Sequence, residues 1–418
     1  MRLRFFGISL GYFMVLLDTT ILGVALPDLR RDFGSGTAAL GWVVNGYTVA
    51  FAAALIGGGA VADRFGPGRV FRYGTAAFAA VSGLCAAAPS LEVLVASRAV
   101  LGLAGAVMVP ASLAIISRLI PAGPERVRML GVWAMTAGVS VAAGPLLGGG
   151  LVEVAGWRAT FLVNVPIGVV TWWLVRGVRL PASPVRVRWV PQVGAAVLVA
   201  CLAEAITGRS VIALGVGVVV LAWLAGSQRE AFSILGEAGL VRWFVVGGAV
   251  QFLFGGLLFV GALMLQETRM LTPVETGVAF LPLTVPIMVL PLFTTRVRRA
   301  MVIGVPLLVV GAAVLASAAA GPVSPWLPAV GLFVVGVGIA FTFPPLVAAV
   351  TSAVPAARAG EAGGMLNATR QVGAALGVAS MGLLPPAWAF VLAGVVVLAV
   401  VPLVVPRRRL LSGSRRLG

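Results

Sequence analysis

The stretch "GGGAVADRFGPGRV", residues 57–70, sets Asp63, Arg64 and Arg69 among glycines and a proline, between two long apolar runs. Glycine and proline in that arrangement favour a sharp turn. The runs on either side decide what kind of chain is turning. Residues 40–60 and 70–88 are each about the length that crosses the ~30 Å hydrocarbon core of a bilayer. Runs of this kind recur along all 418 residues, 60% of which are hydrophobic and 10% charged. The mean hydropathy is +1.08. A soluble domain of this size has too few charges to cover that much apolar surface, so lipid is the solvent for most of the chain.

Apolar windows and breaker clusters place spans near 5–27, 40–60, 70–88, 91–118, 129–152 and 159–176. A hairpin of two shorter spans follows at 190–207 and 211–226, and six more spans lie near 242–265, 276–294, 301–320, 326–350, 362–383 and 386–405. The expected fold is therefore an all-α polytopic membrane protein of about fourteen transmembrane helices. A six-helix bundle at 1–180 and another at 237–406 flank a linker and inserted hairpin at 181–236, with a basic tail at 407–418. Twelve spans plus a re-entrant pair would leave the other spans oriented the same way. The N-terminal run continues past Asp18 to Leu26 with no small-residue cleavage pattern after it, so it is read as the first span and not as a cleaved leader.

The formal net charge of +17 raises the question of nucleic acid, and its distribution answers it. All 30 basic residues are arginines, and most fall in segments on one side of the alternating spans: 2–4, 64–72, 118–128, 176–188, 229–242, 296–299, 358–370 and 407–416. Arg30, Arg31, Arg158, Arg209 and Arg269 fall on the other, and Arg98 lies inside a span. This is the positive-inside asymmetry of a membrane protein with both termini in the cytoplasm. The expected location is the inner membrane, crossed many times. The expected surroundings are the lipid bilayer, with no nucleic acid. The two cysteines, Cys85 and Cys201, lie in apolar runs and suggest neither a disulfide nor a metal site.

The spacing Gly59-x-x-x-Asp63-Arg64-x-Gly66-x-x-Arg69 is similar to the signature loop of the major facilitator superfamily, and further matches follow in order. The first span carries "LDTTILGVALP" (17–27), and the fourth Arg98, Gly102, Gly105 and Ala106. The fifth carries Gly131, Ser140, Gly144-Pro145 and Gly148-Gly149, which resembles the antiporter motif with Ser140 in place of a glycine. "GWRATFLVNVPIG" (156–168) and "NATRQVGAALGVA" (367–379) resemble stretches of the fourteen-span drug:proton antiporters. The resemblance covers essentially the whole chain. It implies two bundles rocking about a midplane site, with Asp63, Arg64, Gly66 and Arg69 forming a latch between the bundles. Residues 67–68, "PG", replace a basic pair of the family pattern, which weakens the expected latch.

Each motif also has a physical reading. Ser140, Gly144 and Gly148 recur every four residues, so they share one helix face where another helix can approach closely. That face is either plain packing or, as the resemblance implies, a bend around Pro145 that limits proton leak. Asp18 and Arg98 are ionisable groups deep in spans, functional candidates by default unless they snorkel to an interface. The chain has no histidine, so proton chemistry falls to carboxylates, and Asp18 is the one placed within a first-half span. Asp18 is the expected proton carrier, tuned by Arg98. Burial disfavours a carboxylate's charged form and a nearby guanidinium favours it.

Glu153, Glu204, Glu267 and Glu275 sit at span ends and read as solvated caps, as does Glu361. Expected substrate-facing groups are Asn45, Asn164, Gln251 and Asn367 for hydrogen bonding, with Trp133, Met135, Phe252 and Phe254 as apolar surface. The span containing "GLFVVGVGIAFTFPPLVAAV" (331–350) has no acid; since relatives that handle multiply charged cations tend to carry additional membrane acids, the resemblance implies a neutral, weakly cationic or amphipathic substrate. The resemblance implies, as the leading expectation, a monomeric antiporter without a cofactor, whose partners are protons and a hydrophobic or amphipathic small-molecule substrate (drug, antibiotic or natural product) that it exports. A proton symporter importing a metabolite is the alternative, against which the fifth-span motif argues. An intramembrane enzyme would need clustered aspartates or a metal-binding set, which the sequence lacks.

Overall fold

The computed structural model describes residues 2–121, 123–182, 189–208, 210–227, 236, 239–294, 299–321, 326–355 and 358–405. The expected tail at 407–418 and the linker arginines Arg186, Arg188 and Arg229 lie outside the described residues, as do Arg209, Arg296 and Arg298. The described residues are helical and contain no strand.

The first half comprises α1 (Arg2–Phe33), α2 (Thr37–Phe65), α3 (Pro67–Ala86), α4 (Leu91–Leu119) and α5 (Pro124–Ala155), followed by α6 (Ala159–Leu162) and α7 (Asn164–Val175), which divide the expected sixth span. The hairpin is α8 (Trp189–Thr207) and α9 (Val211–Ser227). The second half begins with α10 (Leu240–Leu263), extended by a π-turn at Met264–Thr268. Three short helices, α11 (Pro273–Ala279), α12 (Leu281–Val289) and α13 (Pro291–Thr294), follow, then α14 (Ala300–Ala320), α15 (Leu327–Ser352), α16 (Ala359–Met381) and α17 (Pro386–Val404). Eight of these helices are long and apolar enough to cross a bilayer, and the apolar stretches 159–175, 193–207 and 211–224 are shorter. The expected span at 276–294 is broken because Pro282, Pro286 and Pro291 each remove a backbone donor.

Helices α1 to α7 pack among themselves, as do α10 to α17, through close small-residue contacts. On α2 and α4, a Cβ at Gly46 would come within 3.0 Å of the Val95 carbonyl oxygen, and one at Gly102 within 3.1 Å of the Phe51 nitrogen. On α14 and α15, a Cβ at Gly338 would sit 3.0 Å from the Gly304 oxygen. The two halves meet where α5 packs on α11 and α12, α2 on α16, and α1 on α10. The hairpin leans on α2 and α16 through α8, where the Trp42 indole donates to Glu204 at 2.9 Å. Glu204 is thus a partner in a packed contact and not the free cap expected of it.

Three polar contacts between the halves lie at the end of the bundle away from Arg64 and Arg118. There Arg30 donates to Glu267 at 2.6 Å, the Val274 amide to Glu153 at 3.0 Å, and Gln266 to the Val24 carbonyl at 2.8 Å. Glu153 and Glu267 therefore tie the halves together, correcting their reading as solvated caps. Glu275 is a cap as expected, closing a capping box with Thr272 at the start of α11.

Candidate functional site

Asp18 on α1 and Arg98 on α4 form an ion pair whose side chains are each 1% exposed. Arg98 Nη1 donates to Asp18 Oδ2, and Nε donates to the Val43 carbonyl at 3.0 Å. The guanidinium lies 4.5 Å from the Tyr47 ring centroid and 5.8 Å from that of Phe161. Asn164 Nδ2 reaches the other oxygen, Asp18 Oδ1, at 3.2 Å, and Ser82 Oγ at 3.3 Å. Neither charge snorkels. Two ions withdrawn from water cost several kcal/mol each, so such a pair persists only when its geometry and remaining hydrogen bonds are well satisfied. Asn164, expected on the substrate surface, instead orients the carboxylate of the pair.

Beside this pair lies a central cavity of about 250 Å³, lined by α1, α2, α4 and α5 from one half and α10, α15 and α16 from the other. Gln251, Phe254 and Asn367 line it as expected. Trp133 stands behind its wall, stacked on the lining residue Tyr12 at 4.1 Å between centroids and donating to Ser112 Oγ at 3.0 Å. Asn45 is not on the cavity. It is buried between α2 and α16, donating across the halves to the Ala375 carbonyl at 3.2 Å.

Arg370 is the residue that sequence reading misplaced. The charge pattern places it on a cytoplasmic flank, yet it sits eleven residues into α16, ~16 Å along the helix at 1.5 Å per residue. It lines the cavity, donates to Asn367 at 3.3 Å and Gln251 at 3.2 Å, and covers the Phe343 ring at 3.6 Å. Its place inside "NATRQVGAALGVA" was the available signal.

The glycine face of α5 packs in two directions. A Cβ at Gly144 would lie 3.1 Å from the Ile21 nitrogen, and one at Gly148 would lie 2.7 Å from the Ile21 oxygen, both on α1 just past Asp18. Gly149 instead faces the second half, where its Cβ would meet the Pro273 carbonyl carbon at 3.0 Å. The Pro145 carbonyl is covered by Gly277 of α11. Ser140 is buried and bonds back to the Thr136 carbonyl at 2.7 Å, while α5 continues through Pro145 unbroken.

The charged turn that opened the sequence is almost wholly helical. Asp63 and Arg64 end α2, Pro67 starts α3, and Gly66 alone makes the break at φ 88°. That left-handed φ suits glycine, and a Cβ there would lie 2.9 Å from the Leu180 oxygen. Asp63 accepts from Arg118 Nη2 at 2.6 Å, and Arg118 Nη1 also donates to the Pro181 carbonyl at 3.3 Å. Arg64 lies over the Phe65 ring at 5.5 Å, and Arg69 is exposed. In this structure Asp63 is thus engaged within its own half, where a contact between bundles had been expected.

The family model of the Major Facilitator Superfamily matches residues 8–378. The chain belongs to the major facilitator superfamily. It is 31% identical to a Multidrug resistance protein Stp of Mycobacterium tuberculosis, over 91% of this chain and 75% of the relative. It is 31% identical to a Methylenomycin A resistance protein of Streptomyces coelicolor, over 90% and 84%. With a Puromycin resistance protein of Streptomyces alboniger the identity is 34%, over 88% and 78%. Among solved structures, a crystal structure of a peptide transporter aligns with a TM-score of 0.71 at 17% identity, covering 96% of this chain and 93% of the other. The inward-open xylose transporter of Escherichia coli aligns at 0.69 and 16%, covering 97% and 96%. These structural likenesses establish the fold alone.

For a superfamily member, the arrangement has a direct chemical meaning. A sealed acid–base pair on α1 and α4 adjoins the glycine face that receives α1, and both border a cavity shared by the two halves. Whatever moves α1 against α5 acts on the pair and on the cavity wall together.

Proposed function

We propose that this protein is a drug-efflux transporter that exports an amphipathic small molecule in exchange for protons. The observation that carries this reading is its similarity, over about nine-tenths of its length, to proteins named for multidrug and antibiotic resistance. A relative in Streptomyces glaucescens is named a resistance and export protein for tetracenomycin C.

Asp18 carries the proton in this reading, and Arg98 and Asn164 hold it in place. Protonating Asp18 removes the charge that holds Arg98, loosens α1 from α4, and thereby changes the wall of the adjacent cavity. The inter-half contacts at Arg30–Glu267 and Val274–Glu153 describe a state closed at that end. With the arginine-rich end in the cytoplasm, this is the inward-facing state, and release of the Asp63 region from its own half belongs to the opposite one. The chain crosses the inner membrane fourteen times, α8 and α9 forming the inserted pair. Both termini are cytoplasmic, and the working unit is a monomer.

The test is transport in proteoliposomes under an imposed pH gradient. Substrate accumulation against its own gradient, with matching proton flux in the opposite direction, is the expected result. Accumulation unaffected by collapsing the gradient with an ionophore overturns antiport.

A further inference from the structure

The central cavity holds one kind of charge. Arg370 is the only charged side chain among the described residues that line it, and no carboxylate faces it there. The nearest acid in the mechanism, Asp18, is sealed against Arg98 and absent from the lining. A guanidinium is cationic at every physiological pH and offers five N–H donors. Arg370 spends one on Asn367 and one on Gln251, and its Nε has no acceptor among the described residues. Its face lies on Phe343. A cation withdrawn from bulk water costs free energy unless an anion or several acceptors complete its shell, and here the protein supplies two amide oxygens and an aromatic ring. Those contacts fix the plane of the guanidinium while leaving donors unspent. A planar fork held in this way suits a carboxylate or an enolate.

We infer that the cavity takes amphipathic organic anions, whose acidic group docks on Arg370 while the apolar body lies along Phe254, Phe259 and Leu16. This narrows the neutral, weakly cationic or amphipathic substrate expected from sequence to an amphipathic anion, because the cavity repels a cation and leaves Arg370 uncompensated with a neutral guest. The direction of movement rests on the export reading above, whereas binding does not. Expelling an anion also follows the inside-negative potential, so the substrate's charge and the inward proton both draw on the same field.

The test uses the full-length protein purified in detergent and three matched probes: 1-naphthoate, its methyl ester and 1-naphthylmethylamine. Equilibrium binding at pH 8 is expected to favour the naphthoate by ~10-fold or more over both others, a difference of about 1.4 kcal/mol. The preference should fade as pH falls through the probe's own titration. Arg370→Gln should abolish the preference, and Arg370→Lys should keep part of it. If Arg370→Gln does not fold, Arg370→Lys carries the test: a weakened preference is expected, and a preference equal to the parent's overturns the proposal. Naphthoate binding no tighter than the ester, no detectable naphthoate binding up to millimolar concentration, or a preference that survives Arg370→Gln overturns the proposal. Failure of proton-driven transport with the anion preference intact overturns antiport and leaves this site standing.

Discussion

Arg98 and Asp18, eighty residues apart in sequence, meet side chain to side chain in a pocket that excludes solvent from both. The pair is fully enclosed: the Val43 carbonyl accepts from Nε, Tyr47 and Phe161 cover the guanidinium, and Asn164 donates to the second carboxylate oxygen. A pair so enclosed binds two helices tightly while both members are charged and weakly once the acid is neutralised.

The first prediction separates the structural from the coupling role of this pair. Asp18→Asn leaves Arg98 buried and uncompensated, which should destabilise the protein by ~3–5 kcal/mol and lower its melting temperature. Adding Arg98→Gln should recover much of that stability, because no lone charge remains. Neither variant should accumulate substrate against a gradient in proteoliposomes, although downhill exchange can persist. Uphill transport by the double variant would show that the proton travels elsewhere.

Glycine substitutions on α5 should divide by what each Cβ meets. Gly144→Leu and Gly148→Leu push into the Ile21 backbone and should abolish efflux. Gly150 has nothing within 4 Å, so Gly150→Ala should transport at close to the normal rate, and the same holds for Gly131→Ala. Efflux assays normalised to membrane expression read this directly, and normal pumping by both leucine variants contradicts the packing.

The Asp63–Arg118 pair is partly exposed, at 37% and 32%, so it should contribute no more than about 1 kcal/mol to stability. Asp63→Asn should therefore leave melting nearly unchanged, yet reduce transport by altering the balance of inward- and outward-facing populations. Charge reversal with Asp63→Arg and Arg118→Asp together should restore more activity than either alone. Wild-type efflux by Asp63→Asn would reduce the pair to a surface contact.

Topology is read by single cysteines in a background lacking Cys85 and Cys201. Gly68 is closed off by Val178, so the exposed neighbour Arg69 is the better site. Arg69→Cys should resist an impermeant thiol reagent in intact cells, whereas Val154→Cys, at the opposite end and 87% exposed, should react. Val211→Cys, 80% exposed at the start of α9, should also react if the hairpin crosses the bilayer. Protection at 211 would make α8 and α9 a re-entrant pair.

The helical membrane character and the order of motifs were legible because apolar length and glycine spacing are local properties of the chain. The Asp18–Arg98 pairing was legible as two candidates but not as a contact, since nothing local joins residue 18 to residue 98. Arg370 was misread for the opposite reason. Counting charge by segment assumes that an arginine near a span boundary belongs to the loop, and α16 carries this one three turns inward. Asn45 and Asn164 stand out in the sequence by polarity alone, which cannot distinguish a cavity wall from a helix interface. Glu153 and Glu267 were read as caps because their partners, Val274 and Arg30, lie in the other half of the chain.

Those two glutamates supply the last prediction. The Arg30–Glu267 bond and the Glu153–Val274 bond join the halves at the end opposite the arginine clusters, so each favours the state described here over one open at that end. A partly exposed ion pair contributes only about 0.2–1 kcal/mol, yet 1.4 kcal/mol changes a two-state ratio tenfold. Glu267→Gln and Glu153→Gln together should thus shift the population several-fold toward the open state without unfolding the protein. Distances between spin labels on Arg31→Cys and Met270→Cys, measured in the background lacking native cysteines, should lengthen in a larger fraction of molecules. High salt should move the parent background in the same direction, by screening the exposed Arg30–Glu267 pair. If the label distances are identical with and without both substitutions, these contacts do not set the balance, and closure of that end rests on the glycine packing of α5 against α11.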